Sequence, residues 1–265
     1  MDSGLRGKTA LITGGASGIG LGIAKALAEE GVNLAIASRA PDTEAIEQLK
    51  TTGIEVVVIP TDVSKEDQVG RMVQTAIDSL GHLDLYVNNA AWAWHQPITR
   101  IDTKAWQKTI DTNLSGCVWA CRQVARHMIR RQSGGILIIG STASFTPQHE
   151  EIAYRVSKTG LRVVMQNLAV ELAPYNIRVN MIVPGHYVTR LTADIPDERL
   201  TKLIQMVPMR RTGRTEEIGP TAVLLLSDKL SSYTTGSYVL IDGGLHLLPI
   251  PVRTEEQILQ LNKID

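Results

Sequence analysis

Tyr154 and Lys158 stand four positions apart, thirteen residues beyond Ser141, and their types are suited to moving a proton. On a helix, positions i and i+4 share a face, so the phenol and the ammonium project side by side toward whatever Ser141 faces. A cation about 4 Å from a phenolate is worth roughly 4 kcal/mol at an effective dielectric near 20. That corresponds to up to ~3 pKa units, enough to bring the phenol toward working pH. Such a pair is common on solvated helix faces and takes its meaning from its surroundings. Ser141 follows the apolar run Ile136, Leu137, Ile138, Ile139, which reads as a buried parallel strand delivering a hydroxyl at its carboxyl end. Open α/β sheets bind their ligands there.

The elements that must position these groups alternate along the whole chain. Apolar runs at 9–13, 33–37, 56–59, 85–88, 136–140, 178–183 and 238–241 read as seven strands. Amphipathic stretches at 18–30, 42–52, 65–80, 103–132, 154–174 and 215–227 read as helices. Strand then helix, repeated, predicts right-handed crossovers and a doubly wound parallel α/β sheet covered on both faces. With no linker in sight, one domain over 1–265 is expected. Two segments break the rhythm. Residues 184–209 begin with the turn signal Pro184-Gly185 and predict a lid over the site, and the apolar tail 245–265 predicts a subunit contact.

Lys plus Arg and Asp plus Glu both number 27, so no overall field draws the chain to nucleic acid or to an anionic membrane. No run approaches the roughly 18 apolar residues of a membrane span, and the start MDSGLRGK reads as no export signal, so a cytoplasmic protein is expected. Cys117 and Cys121 read as small apolar fillers on a buried helix face, and no metal set is indicated.

The first strand runs into Thr13-Gly14-Gly15-Ala16-Ser17-Gly18-Ile19-Gly20, after which a helix begins. Glycines let backbone approach a pyrophosphate, and a helix N-terminus offers it free N–H groups. The second strand leads into Ser38 and Arg39, where an NAD site would present a carboxylate to the ribose. A guanidinium grips a 2′-phosphate with two hydrogen bonds, so NADP(H) is favoured, with NAD(H) still open.

The chain resembles the short-chain dehydrogenases/reductases. The likeness rests on Gly14, Gly18 and Gly20, Asp62-Val63, Asn88-Asn89-Ala90, Asn113, Ser141, Tyr154, Lys158, Pro184-Gly185 with Thr189, and Asp242-Gly243-Gly244. The resemblance implies a single Rossmann-like domain with Tyr154 as acid/base and Ser141 bonded to the reacting oxygen. Lys158 would hold the nicotinamide ribose and lower the tyrosine pKa. Asn113, in a helix running from 102 to 132, would keep a water linking Lys158 to solvent. Asp62 and Val63 would meet adenine, Asn89 and Ala90 the adjacent ribose, and Thr189 with the Tyr187 backbone the carboxamide. Tyr187, where Val or Ile is commoner, would put a ring near the nicotinamide end. The family also implies a homotetramer or homodimer built on the long helices at 102–132 and 154–174.

Three segments would line the substrate pocket. They carry Trp92, Trp94, His95 and Gln96; Gln148, His149, Glu150 and Glu151; and His186 with Tyr187. Flat apolar faces mixed with hydrogen-bonding groups suit a sugar, polyol or similar polar carbonyl/alcohol pair. The tryptophans could instead pack on a neighbouring helix, with the glutamates in solvent. A 3-oxoacyl thioester reductase and a non-catalytic dinucleotide sensor are the competing functions.

Overall fold

Short runs rich in Val, Ile and Leu, apolar at successive positions, become strands buried on both faces because each face meets its own helical layer. The computed structural model describes residues 2–189, 192 and 197–247. In chain order the strands are β1 (Thr9–Thr13), β2 (Asn33–Ser38), β3 (Val56–Pro60), β4 (Leu85–Asn88), β5 (Gly134–Ile139), β6 (Ile177–Pro184) and β7 (Tyr238–Ile241). All pair in parallel in the order β3-β2-β1-β4-β5-β6-β7. This is the single Rossmann-like doubly wound sheet that the alternation predicts.

The helices are α1 (Gly18–Glu29), α2 (Thr43–Lys50), α3 (Glu66–Leu80), α4 (Thr103–Ile110), α5 (Gly116–Arg131), α6 (Ile152–Leu172), α7 (Asp197–Met206), α8 (Gly219–Leu226) and α9 (Asp228–Ser231). Side chains alternate across each strand, so neighbours enter different cores. Leu11, Ala35, Tyr86 and Ile138 pack with Met72, Val124 and Leu161 from α3, α5 and α6. Ile12, Ile36, Val87 and Ile139 pack with Ile23, Leu49 and Ala222 from α1, α2 and α8. Cys117 and Cys121 are buried free thiols in the first of these layers, as expected of fillers.

The single helix expected over 102–132 is interrupted. Between α4 and α5, residues Asp111–Ser115 form one wide π turn. A Cβ on Gly116, the next residue, would come within 2.5 Å of the Val63 carbonyl oxygen, so the chain presses closely on the segment between β3 and α3 there. Apolar residues continue on both sides of the turn, at Trp106, Ile110, Leu114, Cys117 and Cys121, so nothing in the residue types marks it.

Of the expected lid at 184–209, α7 is described and residues 190, 191 and 193–196 lie outside the described residues. Of the tail at 245–265, only Leu245–Leu247 is described, as a short 3-10 turn, and 248–265 lie outside. Among the described residues no helix is long and apolar enough to cross a membrane.

Buried Arg178 ties the start of β6 to the last helices. Its Nε and Nη2 donate to Asp228 Oδ1 at 3.0 and 2.9 Å, and Nη1 donates to the Leu225 carbonyl at 2.7 Å and the Thr234 carbonyl at 3.3 Å. Asp228 is half exposed and can rehydrate, whereas the Leu225 and Thr234 carbonyls would lose this donor. Arg178→Met is expected to lower unfolding free energy by about 2–4 kcal/mol, read from urea melts.

Candidate active site

The strand order reverses beside β1, whose neighbours are β2 and β4, and the crevice beyond their carboxyl ends is where such sheets take ligands. Two backbone segments are locked together at its floor. Thr13 Oγ1 accepts the Asn89 and Ala90 amides at 2.9 and 3.2 Å, while Asn89 Nδ2 donates back to the Thr13 and Gly14 carbonyls at 3.0 and 3.2 Å. Gly14 has φ of +67°, and a Cβ on Gly20 would strike the Gly14 carbonyl, so the turn closes only with glycine at both positions. Thr13 is the positioning residue that sequence reading passed over. Its hydroxyl reads as one more strand residue until the β4 loop is laid against it.

Ser17 precedes α1 and makes no side-chain cap bond, so the N–H groups of the Gly18, Ile19 and Gly20 turn are left for an anion. The Thr189 side chain packs on Gly18, bringing the segment after β6 over this turn. Ser38 ends β2 and Arg39 is exposed beyond it. At the end of β3, burial pushes the Asp62 carboxyl up, but hydrogen bonds from Ser64 and the charges of Arg39 and Lys65 outweigh this and hold it low. Val63 is half buried and packs into the α3, α5 and α6 layer. These residues fit a dinucleotide: a glycine cradle, free N–H groups for its phosphates, and a cation at the far end.

Ser141 follows β5 and caps the short turn Thr142–Ser144, its Oγ accepting the Ala143 amide at 3.1 Å. Tyr154 and Lys158 lie in the first half of α6. The phenol is raised above its ordinary value by burial, an effect opposed by a hydrogen bond with Ser141 and added to by the negative charge of Glu151. The expectation that the lysine by itself draws the phenol toward working pH is therefore corrected. Lys158 Nζ lies 5.8 Å from the tyrosine ring centroid and donates instead to the Ile139 carbonyl at 2.8 Å. Burial lowers its own pKa to about 8.

Asn113 sits in the π turn with its side chain buried. Its Oδ1 accepts the Trp92 amide at 2.8 Å, and its Nδ2 donates to the Trp92 carbonyl at 2.9 Å and Ser157 Oγ at 3.0 Å. Ser157 in turn donates to the Tyr154 carbonyl at 2.7 Å. One amide thus joins the loop after β4 to the helix that carries Tyr154 and Lys158.

With the groups in place, comparison with known proteins is informative. Residues 14–246 match the family profile described as enoyl-(acyl carrier protein) reductase. The 3-oxoacyl-[acyl-carrier-protein] reductase of Chlamydia pneumoniae is 35% identical over 247 residues, covering 92% of this chain and 99% of that one. The chain belongs to the short-chain dehydrogenase/reductases. Glucose 1-dehydrogenase 2 of Bacillus subtilis is 32% identical over 251 residues, covering 92% of this chain and 97% of its own. The 3-oxoacyl-[acyl-carrier protein] reductase of Brucella melitensis in complex with NAD superposes with a TM-score of 0.85 at 32% identity, covering 92% of this chain and 98% of that one. Like its relatives, this short-chain dehydrogenase/reductase is an NAD(P)-dependent oxidoreductase acting between an alcohol and a carbonyl.

The mouth of the site differs in part from expectation. Trp92 and Trp94 stack on each other with centroids 5.8 Å apart, and the Lys108 ammonium lies 4.4 Å from the Trp92 ring centroid. Trp92 is thus engaged on its own side of the loop, while Trp94 stays half exposed. His149 and Glu150 are exposed, whereas Glu151 is drawn inward beside Arg155. His186 is half buried, its pKa lowered by burial, and it lines a cavity of about 200 Å³ with Val207, Met209 and Asp242. Pro184 ends β6, and Gly185 donates its amide to the Ile241 carbonyl at 3.0 Å. The Tyr187 ring, expected near the nicotinamide end, is instead buried against Gly213, its hydroxyl donating to the Ile241 carbonyl at 3.0 Å. A ring larger than Val or Ile finds its space there, its hydroxyl sharing the Ile241 carbonyl with the Gly185 amide.

The buried lysine makes stability depend on pH. Its folded pKa of about 8 lies below the ordinary 10.5, so the folded state binds fewer protons between those values and stability rises with pH across that window. Lys158→Met is expected to be more stable than the wild type by about 2 kcal/mol at pH 7 once the lost hydrogen bond is counted. The gain should vanish between pH 8 and 10.5 in thermal melts.

Proposed function

We propose that the protein is an NADP(H)-dependent oxidoreductase that interconverts a neutral sugar, polyol or similar hydroxylated carbonyl compound with its secondary alcohol. The observation that carries this reading is the convergence of Ser141, Tyr154 and Lys158 at the carboxyl end of β5, opening onto a mouth of hydrogen-bonding side chains. A bound nicotinamide supplies or accepts the hydride. Tyr154 transfers the proton at the reacting oxygen, and the Ser141 hydroxyl donates a hydrogen bond to the charge that develops there. Lys158 would hold the nicotinamide ribose, and its positive charge would assist release of the phenolic proton once drawn toward the phenol. Asn113 holds Trp92 and Ser157, and through them the two walls of the site, in register. Asn89, Ala90, Asp62, Val63, Thr189 and the Tyr187 backbone would contact the cofactor, with Pro184 and Gly185 beneath its nicotinamide.

The preference for NADP(H) rests on Arg39, exposed next to Ser38 where an NAD site would offer a carboxylate. The names of the acyl-carrier relatives keep a 3-oxoacyl thioester reductase as the second reading. Association into dimers or tetramers is supported by Val156, Val163 and Val170, a stripe at seven-residue spacing on α6 with relative exposures of 44%, 51% and 78%.

Four outcomes test these readings. Tyr154→Phe should lower kcat by about 10²–10⁴ while NADPH still binds by fluorescence titration; unchanged cellular function in this variant would favour a non-catalytic sensor. Arg39→Ala should raise the KM for NADPH by about ten-fold, equivalent to one charge-assisted hydrogen bond, and leave that for NADH nearly unmoved. In a panel of carbonyls, turnover confined to acyl thioesters would replace the sugar or polyol reading. Val163→Glu should shift the mass measured by light scattering toward the monomer.

A further inference from the structure

Glu151 stands one turn before Tyr154 at the start of α6, so the two side chains share a face. Its carboxylate is only 13% exposed, and one oxygen is committed: Oε2 accepts from Arg155 Nε at 3.1 Å. Among the described residues Oε1 accepts no hydrogen bond. His95 Nδ1 lies 3.7 Å from it, beyond hydrogen-bonding range. A nearly buried carboxylate oxygen with open acceptor capacity, beside a group able to donate, makes a matched pair for a hydroxyl.

Arg155 is not available to bind a substrate anion. Besides Glu151 it serves the Ala143 carbonyl and Thr146 Oγ1 through Nη1 and Gln148 Oε1 through Nη2. What this corner offers an incoming group is therefore acceptor capacity, and the carboxylate's charge reaches Tyr154, whose phenol it helps to hold up against the opposing charge of Arg155.

The backbone is arranged to keep the pair together. Glu150 adopts φ of +66°, a left-handed conformation that costs a non-glycine residue roughly 1–2 kcal/mol. In that conformation its carbonyl accepts the Gln96 amide at 2.8 Å, and Gln96 Oε1 accepts the Asp102 amide at 2.8 Å. The residue next to Gln96 is His95, and the residue next to Glu150 is Glu151. The strained turn thus clips together the two loops that carry the donor and the acceptor.

We infer that Glu151, with His95, is the specificity determinant of the site, its free oxygen accepting a hydrogen bond from a substrate hydroxyl close to the reacting carbon and rejecting substrates that carry a carboxylate there. The inference rests on the proposed hydroxylated substrate and deepens it, by selecting neutral hydroxylated compounds over sugar acids. A hydroxyl donates to the open oxygen, whereas an anion meets like charge in a poorly solvated corner with the neighbouring guanidinium already engaged.

Three cyclic ketones that differ only in the substituent on ring carbon 3 supply the test: 3-hydroxycyclohexanone, cyclohexanone and 3-oxocyclohexanecarboxylate, reduced with saturating NADPH or NADH by the wild type, Glu151→Gln and His95→Ala. The wild type should prefer the hydroxyketone in kcat/KM. Glu151→Gln keeps the shape and a bond to Arg155 but loses the charge, and it should cut that preference at least ten-fold, mainly through KM, while improving the carboxylate at least ten-fold. Its alkaline limb for reduction should also move to lower pH, because the Ser141 hydrogen bond and Arg155, which both lower the phenol, remain while the carboxylate that holds it up is gone. His95→Ala, at an exposed position, should raise KM for the hydroxyketone several-fold more than for cyclohexanone, and it reads the inference independently should the Glu151 variant fail to fold. Equal losses on the hydroxyketone and cyclohexanone in both variants, or no gain on the carboxylate, would reduce Glu151 to a structural partner of Arg155 and overturn the inference alone. Absence of wild-type turnover on the hydroxyketone beside good turnover of acyl thioesters would overturn the hydroxylated-substrate reading as well.

Discussion

A lysine ammonium almost without solvent has to find a partner or lose its charge, and in this protein Lys158 finds the carbonyl of Ile139 at 2.8 Å. That contact joins α6 to the end of β5 at one register. Ser141 lies two residues beyond the carbonyl, and Tyr154 lies one turn before the lysine, so the contact that accommodates the charge also sets serine against tyrosine. The chain between them has little freedom left. Arg155 gathers Ala143, Thr146, Gln148 and Glu151 around itself, making the connection from β5 to α6 a fixed wall.

The other wall is held by amide chemistry. Asn113 offers both a donor and an acceptor to the main chain of Trp92, and Asn89 and Thr13 exchange bonds across the crevice floor. Each of these side chains replaces a backbone partner that a loop leaving a sheet would otherwise lack. The π turn at Asp111–Ser115 belongs to the same scheme. It interrupts the helix where Gly116 meets Val63, and it sets Asn113 facing inward between the β4 loop and α6.

All seven strands were legible in the sequence to within a residue or two, because the runs are rich in Val, Ile, Leu and Ala and most end at or just before a glycine, asparagine, aspartate or proline. The placement of Ser141 just beyond a strand and of Tyr154 with Lys158 on one helix was legible too, since a serine at a strand end and a Tyr–Lys pair at helical spacing need only local order to be recognised. Tyr187 was misplaced because residue type shows that a ring is present but not which way it turns. Glu150 and Glu151 are chemically identical in the sequence, yet the left-handed backbone at Glu150 leaves one carboxylate in water and carries the other inward to Arg155. Thr13 was overlooked because its partners lie about seventy-five positions away.

By itself the sequence determined the reaction class and the architecture: periodicity sets the elements, their alternation sets the parallel sheet, and the motifs that mark the family, the glycine turn with Ser141, Tyr154 and Lys158 among them, set the reaction class. Only the tertiary structure decided how those groups are charged and which neighbours they face. Burial, rather than the adjacent lysine, governs the phenol here, and Lys158 is lowered by the same burial. The physical reason is that desolvation and hydrogen-bond partnership depend on what packs around a group, and that is settled by contacts between segments far apart in the chain.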